Sequence, residues 1–146
     1  MFKIPIVPAD QAPQKAVRFW ARVASFGLQP TGQSETAIHI ATDNQDLFLD
    51  SGTTLTTVPE PVYAAVKTML GGEELKEGGV VVNCSLFDNP PDGGLVFHFA
   101  GGGSIVMGYD DLIIDIRPLV PPGTPACYLG IDPIGQGSLP ILGRKF

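Results

Sequence analysis

The sequence predicts an all-β domain of short strands carrying one or two short helices, and three observations predict it. Eighteen Gly and fourteen Pro are spread along the 146 residues without period, as expected where many turns join short elements. Short apolar runs recur about every ten residues between turn clusters such as "NPPDGG", "GGG" and "VPPGTP", a spacing that belongs to a sandwich or barrel. Hydrophobic residues make up 44% and charged residues 16%, enough apolar material for one packed core and one domain.

Taken in order, "AVRFWARVASFGL" (16–28) reads as a strand with Val17, Phe19, Ala21 and Val23 on one side, although Trp20 and Ala24 blur the alternation. "ETAIHIAT" (35–42) alternates clearly, with His39 opposite to Ile38 and Ile40 as a half-exposed strand residue. "DLFLD" (46–50) is a short apolar run of the buried-strand kind. Thr57-Val58-Pro59-Glu60 then reads as a capping box. It opens a helix over "PEPVYAAVKTMLGG", with Val62, Val66, Met69 and Leu70 on one face and Gly71 as the stop. Further strands are expected at 79–85, 94–100, 104–108, 112–116, 126–131 and 139–143.

Several function classes are excluded early. A net charge of −6 leaves no basic stripe for phosphates, so a nucleic-acid partner has no electrostatic support. No apolar run reaches the length of a membrane span, and "MFKIPIVPADQ" lacks the basic and apolar regions of a secretory signal. Passage through a secretory compartment would therefore need a leader outside these residues. Neither zinc-type Cys/His spacing nor a phosphate-binding loop is present, so no metal or cofactor is expected. A Ser-His-Asp set can be assembled on paper from Ser51, His39 or His98, but nothing around Ser51 is a nucleophile elbow.

Two features remain. Cys84 and Cys127 sit in apolar, strand-like surroundings, which suits two buried thiols or a disulfide. Asn83-Cys84-Ser85 fits the N-linked glycosylation acceptor pattern and leans toward a compartment where disulfides persist. The stretch "LFLDSGTTLTTVPEPVY" (47–63) runs an apolar strand straight into Asp50-Ser51-Gly52-Thr53-Thr54. Small hydroxyls and a flexible turn after a carboxylate can donate hydrogen bonds to it, as a tuned acid or base requires. The plainer alternative is an Asp that merely starts a turn.

"FLDSGTTLTTVPEPVY" resembles the second catalytic loop of pepsin-like aspartic proteases, in which an apolar strand enters Asp-Ser/Thr-Gly and leaves into a helix. "RFWARVASFGL" looks like the Trp-bearing strand that opens the C-terminal lobe of that family. Cys84 and Cys127 fall where that lobe carries its disulfide, and "LPILG" (139–143) looks like the strand beneath the catalytic loop. The resemblance spans about residues 15–146 and is to the C-terminal lobe of fungal-type, secreted members. It implies a barrel-like lobe in which Asp50 is a catalytic carboxylate, Ser51 joins the grip between two catalytic loops, and Gly52 lets backbone approach the carboxylate. Thr53 would bond an outer oxygen of Asp50, Thr54 would support the loop, and Ile141, Leu142 and Gly143 would form the supporting strand. The implied chemistry is metal-free attack of water on a peptide carbonyl between two carboxylates, which at about 3 Å cannot both ionise.

Departures from the pattern shape the expected function. The family builds its site from two Asp-Thr/Ser-Gly motifs, and Asp50-Ser51-Gly52 is the one such motif here. Residues 1–146 are thus expected to be a single domain, half of a two-lobed protease and truncated after "ILGRKF". Its partners would be a peptide or protein substrate and a second lobe or a second copy. Gly143-Arg144 is more distantly similar to viral retropepsins, which homodimerise around one motif per chain. An inactive lobe serving as a binding, inhibitory or effector module is the alternative. Secretion or a vacuolar location follows from the resemblance, with no nucleic-acid or membrane partner.

Overall fold

The computed structural model describes residues 3–13, 19–29, 35–38, 45–135 and 139–143. Positions 16–18, His39 to Thr42 and Arg144 lie outside the described residues. The longest strand, β1 (Trp20–Gln29), organises the molecule. It pairs antiparallel with β2 (Thr36–Ile38), β3 (Gln45–Leu49) and β7 (Gly94–Phe99), and β7 pairs with β8 (Ser104–Gly108). A second sheet runs β5 (Glu73–Glu74), β6 (Val80–Val81), β10 (Cys127–Leu129), β9 (Ile113–Asp115). Two pairs are parallel: β4 (Thr56–Val58) with β11 (Ile131–Pro133), and β3 with β12 (Ile141–Leu142).

The blurred alternation of the first strand has a physical cause. The register of β1 against β7 shifts between Val23 and Ser25. This bulge moves the core-facing parity from Ala21 and Val23 to Phe26 and Leu28, all four of which are buried in one cluster. Trp20 points to the other face, where it meets Phe48, its register partner across β3, with ring centroids 5.6 Å apart. Val7 and Ala12 from the N-terminal segment cover that face. Phe19 does not share the side of Ala21 and Val23 that the alternation gives it. It is instead 69% exposed, because it precedes the strand.

The helix α1 (Glu60–Met69) forms where the periodicity places it, with Val62, Val66 and the following Leu70 buried. Gly71 ends it at φ 62°, a conformation glycine adopts without a Cβ penalty. Two details differ from expectation. Pro59 is the N-cap and no side chain caps the helix, because Thr57 belongs to β4 and spends its hydroxyl elsewhere. Met69 is 37% exposed, its sulfur accepting the Tyr109 hydroxyl at 3.0 Å.

The expected strand over 79–85 is cut to Val80–Val81, and Ser85–Asp88 form a short helix, α2. The Asn83 side chain takes the Ser85 N–H at 2.9 Å, and Leu86 N–H donates to the Asn83 carbonyl at 3.1 Å. This local side-chain bond competes with the ladder and turns the chain. The expected strand over 126–131 is likewise divided. Gly130 separates β10 from β11 and donates its N–H to the Leu112 carbonyl at 2.7 Å, so one run serves two sheets. Among the described residues, no helix is long and apolar enough to cross a membrane.

A covalent link and an ion cluster tie this second sheet together. Cys84 and Cys127 form a disulfide with Cα atoms 5.3 Å apart. Nearby, Arg117 donates to both carboxylate oxygens of Asp88 at 2.8 and 2.7 Å and to Asp115, while its guanidinium stands over Phe87.

Replacing both cysteines by Ser is expected to cost about 4 kcal/mol in the chain-entropy model for a loop of this length; chemical denaturation of the oxidised protein and the double variant measures it. The Arg117 bond holds the Asp88 carboxyl below its ordinary value. A depressed folded-state value stabilises above the unfolded value, and that contribution is lost as pH falls through the folded one. Asp88→Asn should therefore lower the melting temperature slightly at neutral pH, where the exposed pair contributes, leave it unchanged in acid, and so flatten the acid limb of the profile.

Candidate active site

Strand β3 is the carrier of the site. Leu47 is fully buried at its centre, and β1 and β12 flank it on opposite edges. Leu49 N–H donates to the Phe19 carbonyl at 2.8 Å, and Asp50 N–H donates to the Leu142 carbonyl at 3.0 Å. The backbone of Asp50 is therefore fixed from the β12 side as the strand ends. The chain then turns, with Thr53 N–H directed at the Asp50 carbonyl at 3.4 Å.

That turn grips the carboxylate. Gly52 N–H donates to Oδ1 of Asp50 at 2.9 Å, and the Thr53 hydroxyl donates to Oδ2 at 2.7 Å. A Cβ on Gly52 would lie 3.2 Å from Oδ1, so the glycine lets backbone and carboxylate meet closely. With one donor on each oxygen, the plane of the carboxylate is set by the loop that follows it. Asp50 is half-buried, while Ser51 and Thr54 are exposed on the outer side of the turn.

The loop rests on β12 through two hydroxyls that sequence reasoning left out of the site. Thr56, only 2% exposed, accepts the Gly143 N–H on its Oγ1 at 3.0 Å. Thr57 accepts the Ile141 N–H at 2.6 Å and donates to the Leu139 carbonyl at 3.1 Å. Gly143 packs against the loop so tightly that a Cβ would lie 2.7 Å from the Thr53 carbonyl oxygen and closer still to that of Leu55. Leu142 is buried and Ile141 half-buried. The signal available in the sequence was the pairing of "LTTV" with a Gly after two apolar residues.

The structure thus brings Asp50, Gly52, Thr53, Ile141, Leu142 and Gly143 together and leaves Ser51 and Thr54 on the rim. Cys84, Cys127 and Asn83 do not join them. The disulfide belongs to the sheet of β6 and β10, and Asn83 is exposed at its margin.

Gly143→Ala should therefore destabilise the protein by about 1–3 kcal/mol through overpacking against fixed backbone; denaturation curves of the variant and the parent protein measure it.

Known proteins agree with this geometry. A model of the eukaryotic aspartyl protease family matches residues 17–146. The whole chain aligns with Aspartic proteinase 3 of Saccharomyces cerevisiae, 31% identical over 149 residues and covering 24% of that protein. Probable vacuolar protease A of Trichophyton verrucosum is 28% identical over 108 residues, 73% of this chain and 25% of that protein. The chain spans about a quarter of the length of these relatives. Among solved structures, the aspartic proteinase from Irpex lacteus matches with a TM-score of 0.60 at 19% identity, over 98% of this chain and 40% of that one. That likeness is one of fold. A family match across nearly the whole chain, joined to the fold of a pepsin-like lobe, makes this chain a member of the eukaryotic aspartyl protease family.

Proposed function

We propose that this chain is one lobe of an aspartic endopeptidase and supplies Asp50 as one of two catalytic carboxylates. The supporting observation is the carboxylate itself: it sits at the end of a buried strand with Gly52 N–H on one oxygen and the Thr53 hydroxyl on the other. A group so oriented can act on a water molecule placed between it and a second carboxylate. One carboxylate removes a proton from the water as it attacks the peptide carbonyl, and the other, protonated, donates to the carbonyl oxygen. The tetrahedral intermediate then collapses as the amine leaves with a proton. Ser51, exposed on the outer turn, faces the partner loop in this reading, and Thr54 supports the same turn.

The second carboxylate comes from a second lobe or from a second copy of this chain. A single Asp-Ser-Gly occurs in the 146 residues, which is why a partner is required. The same observation favours a second reading, in which the lobe is inactive and serves as a binding, inhibitory or effector module. The substrate in the enzyme reading is a peptide or protein. The Cys84–Cys127 disulfide supports an oxidising compartment, in keeping with a secreted or vacuolar protease.

Light scattering combined with hydrolysis of a denatured protein in acid tests the proposal. A dimer, or a complex with a separate N-terminal lobe, should cleave with a pH profile showing two carboxylate-range transitions. Asp50→Asn should reduce that cleavage by at least about 10²–10⁴-fold, the typical share of a general acid or base. Cleavage that survives this substitution sinks the enzyme reading, and a monomer that stays inert with any second lobe favours the binding module.

A further inference from the structure

Asn83-Cys84-Ser85 is a modification motif that the catalytic reading does not use, and its surroundings couple it to the disulfide. Asn83 is exposed, and its side-chain oxygen accepts the Ser85 N–H at 2.9 Å, so the Nδ2 end faces outward from that bond. The middle residue of the motif is itself covalently held. Cys84 is bonded to Cys127, which is fully buried on β10. The peptide units that follow are tied as well: Leu86 N–H bonds the Asn83 carbonyl at 3.1 Å, and Phe87 N–H bonds the Cys84 carbonyl at 3.0 Å.

We propose that Asn83 is an acceptor for an N-linked glycan and that closure of Cys84–Cys127 ends its competence as an acceptor. In the transfer, Nδ2 of Asn83 forms a bond to the anomeric carbon of a lipid-linked pyrophosphoryl oligosaccharide. The bond from that carbon to the pyrophosphate oxygen breaks, the pyrophosphate departs with the electron pair, and Nδ2 gives up one proton. A transferase must hold all three motif residues in its own site, including the Ser85 hydroxyl. The open chain can be so held. Once a protein disulfide has taken two electrons and two protons from the thiols, Cys84 is anchored to a buried strand and the motif is locked in its turn.

Chain order gives the reaction its opening. Cys127 lies 43 residues after Cys84, which at a synthesis rate of about 5–20 residues per second gives a head start of roughly 2–9 s. Disulfide formation takes seconds to hours, so the two events overlap and occupancy is partial. The proposal rests on passage of the chain through a secretory compartment.

The test supplies that passage. The full chain is translated behind a secretory leader with rough microsomes, with and without dithiothreitol, alongside a reporter bearing an unconstrained acceptor. The glycosidase-sensitive fraction should rise about twofold or more when thiols are kept reduced, since oxidation over seconds no longer competes. Cys127→Ser, read without reductant, should give the same rise, and Ser85→Ala should abolish the modification in every condition. An Asn83 that stays unmodified in dithiothreitol, beside a modified reporter, overturns the site. Equal occupancy of the native chain and Cys127→Ser overturns the coupling. Because the leader fixes the compartment and the reporter verifies it, either failure is distinct from a failure of the secretory localisation.

Discussion

The contact between Gly143 and the loop after Asp50 is the constraint on which the site depends. A strand passing beneath a turn must bring backbone against backbone, and only a residue without a Cβ allows it where the carbonyl oxygens of Thr53 and Leu55 face the crossing strand. That crossing leaves the Gly143 N–H buried, and Thr56 Oγ1 satisfies it. An unpaired buried donor there would cost about 1–3 kcal/mol. The same crossing places the Leu142 carbonyl over the Asp50 N–H. Steric fit, a buried hydroxyl and one ladder bond thereby aim a carboxylate.

The rest of the fold holds that crossing in place. β3 stays fixed because β1 pairs along it and because Trp20 and Phe48 meet on one face while Ala21 and Leu47 fill the other. The bulge in β1 lets a single long strand keep its apolar side inward along its whole length. Parallel pairing of β12 with β3 and of β11 with β4 folds the last described strands back against the segment that carries Asp50 and the turn after it. Since the pairing partners lie far apart in sequence, the site forms only when the whole lobe has closed.

The second sheet serves a different need. Its strands are two or three residues long, too short to be stable by pairing alone. The disulfide and the Arg117–Asp88–Asp115 cluster add links where hydrogen-bonded ladder is scarce. The covalent link constrains the unfolded chain, whereas the exposed ion cluster is screened by solvent and contributes less. Separation of the two sheets keeps this staple apart from the strand that carries Asp50.

The sequence by itself determined the strand-rich class, the helix after Asp50 and the landmarks of the loop. Those signals are local: apolar alternation, Gly and Pro punctuation, and a carboxylate followed by small hydroxyls. It also placed Gly71 at the end of α1, because a left-handed stop is a property of one residue. Only the tertiary structure decided that Thr57 braces a strand more than eighty residues away instead of capping a helix, that Phe19 faces outward, and that Gly130 divides one apolar run between two sheets. A hydroxyl can satisfy either a nearby amide or a distant one at similar energy. Which of them it meets is settled by the packing of strands that no local pattern describes.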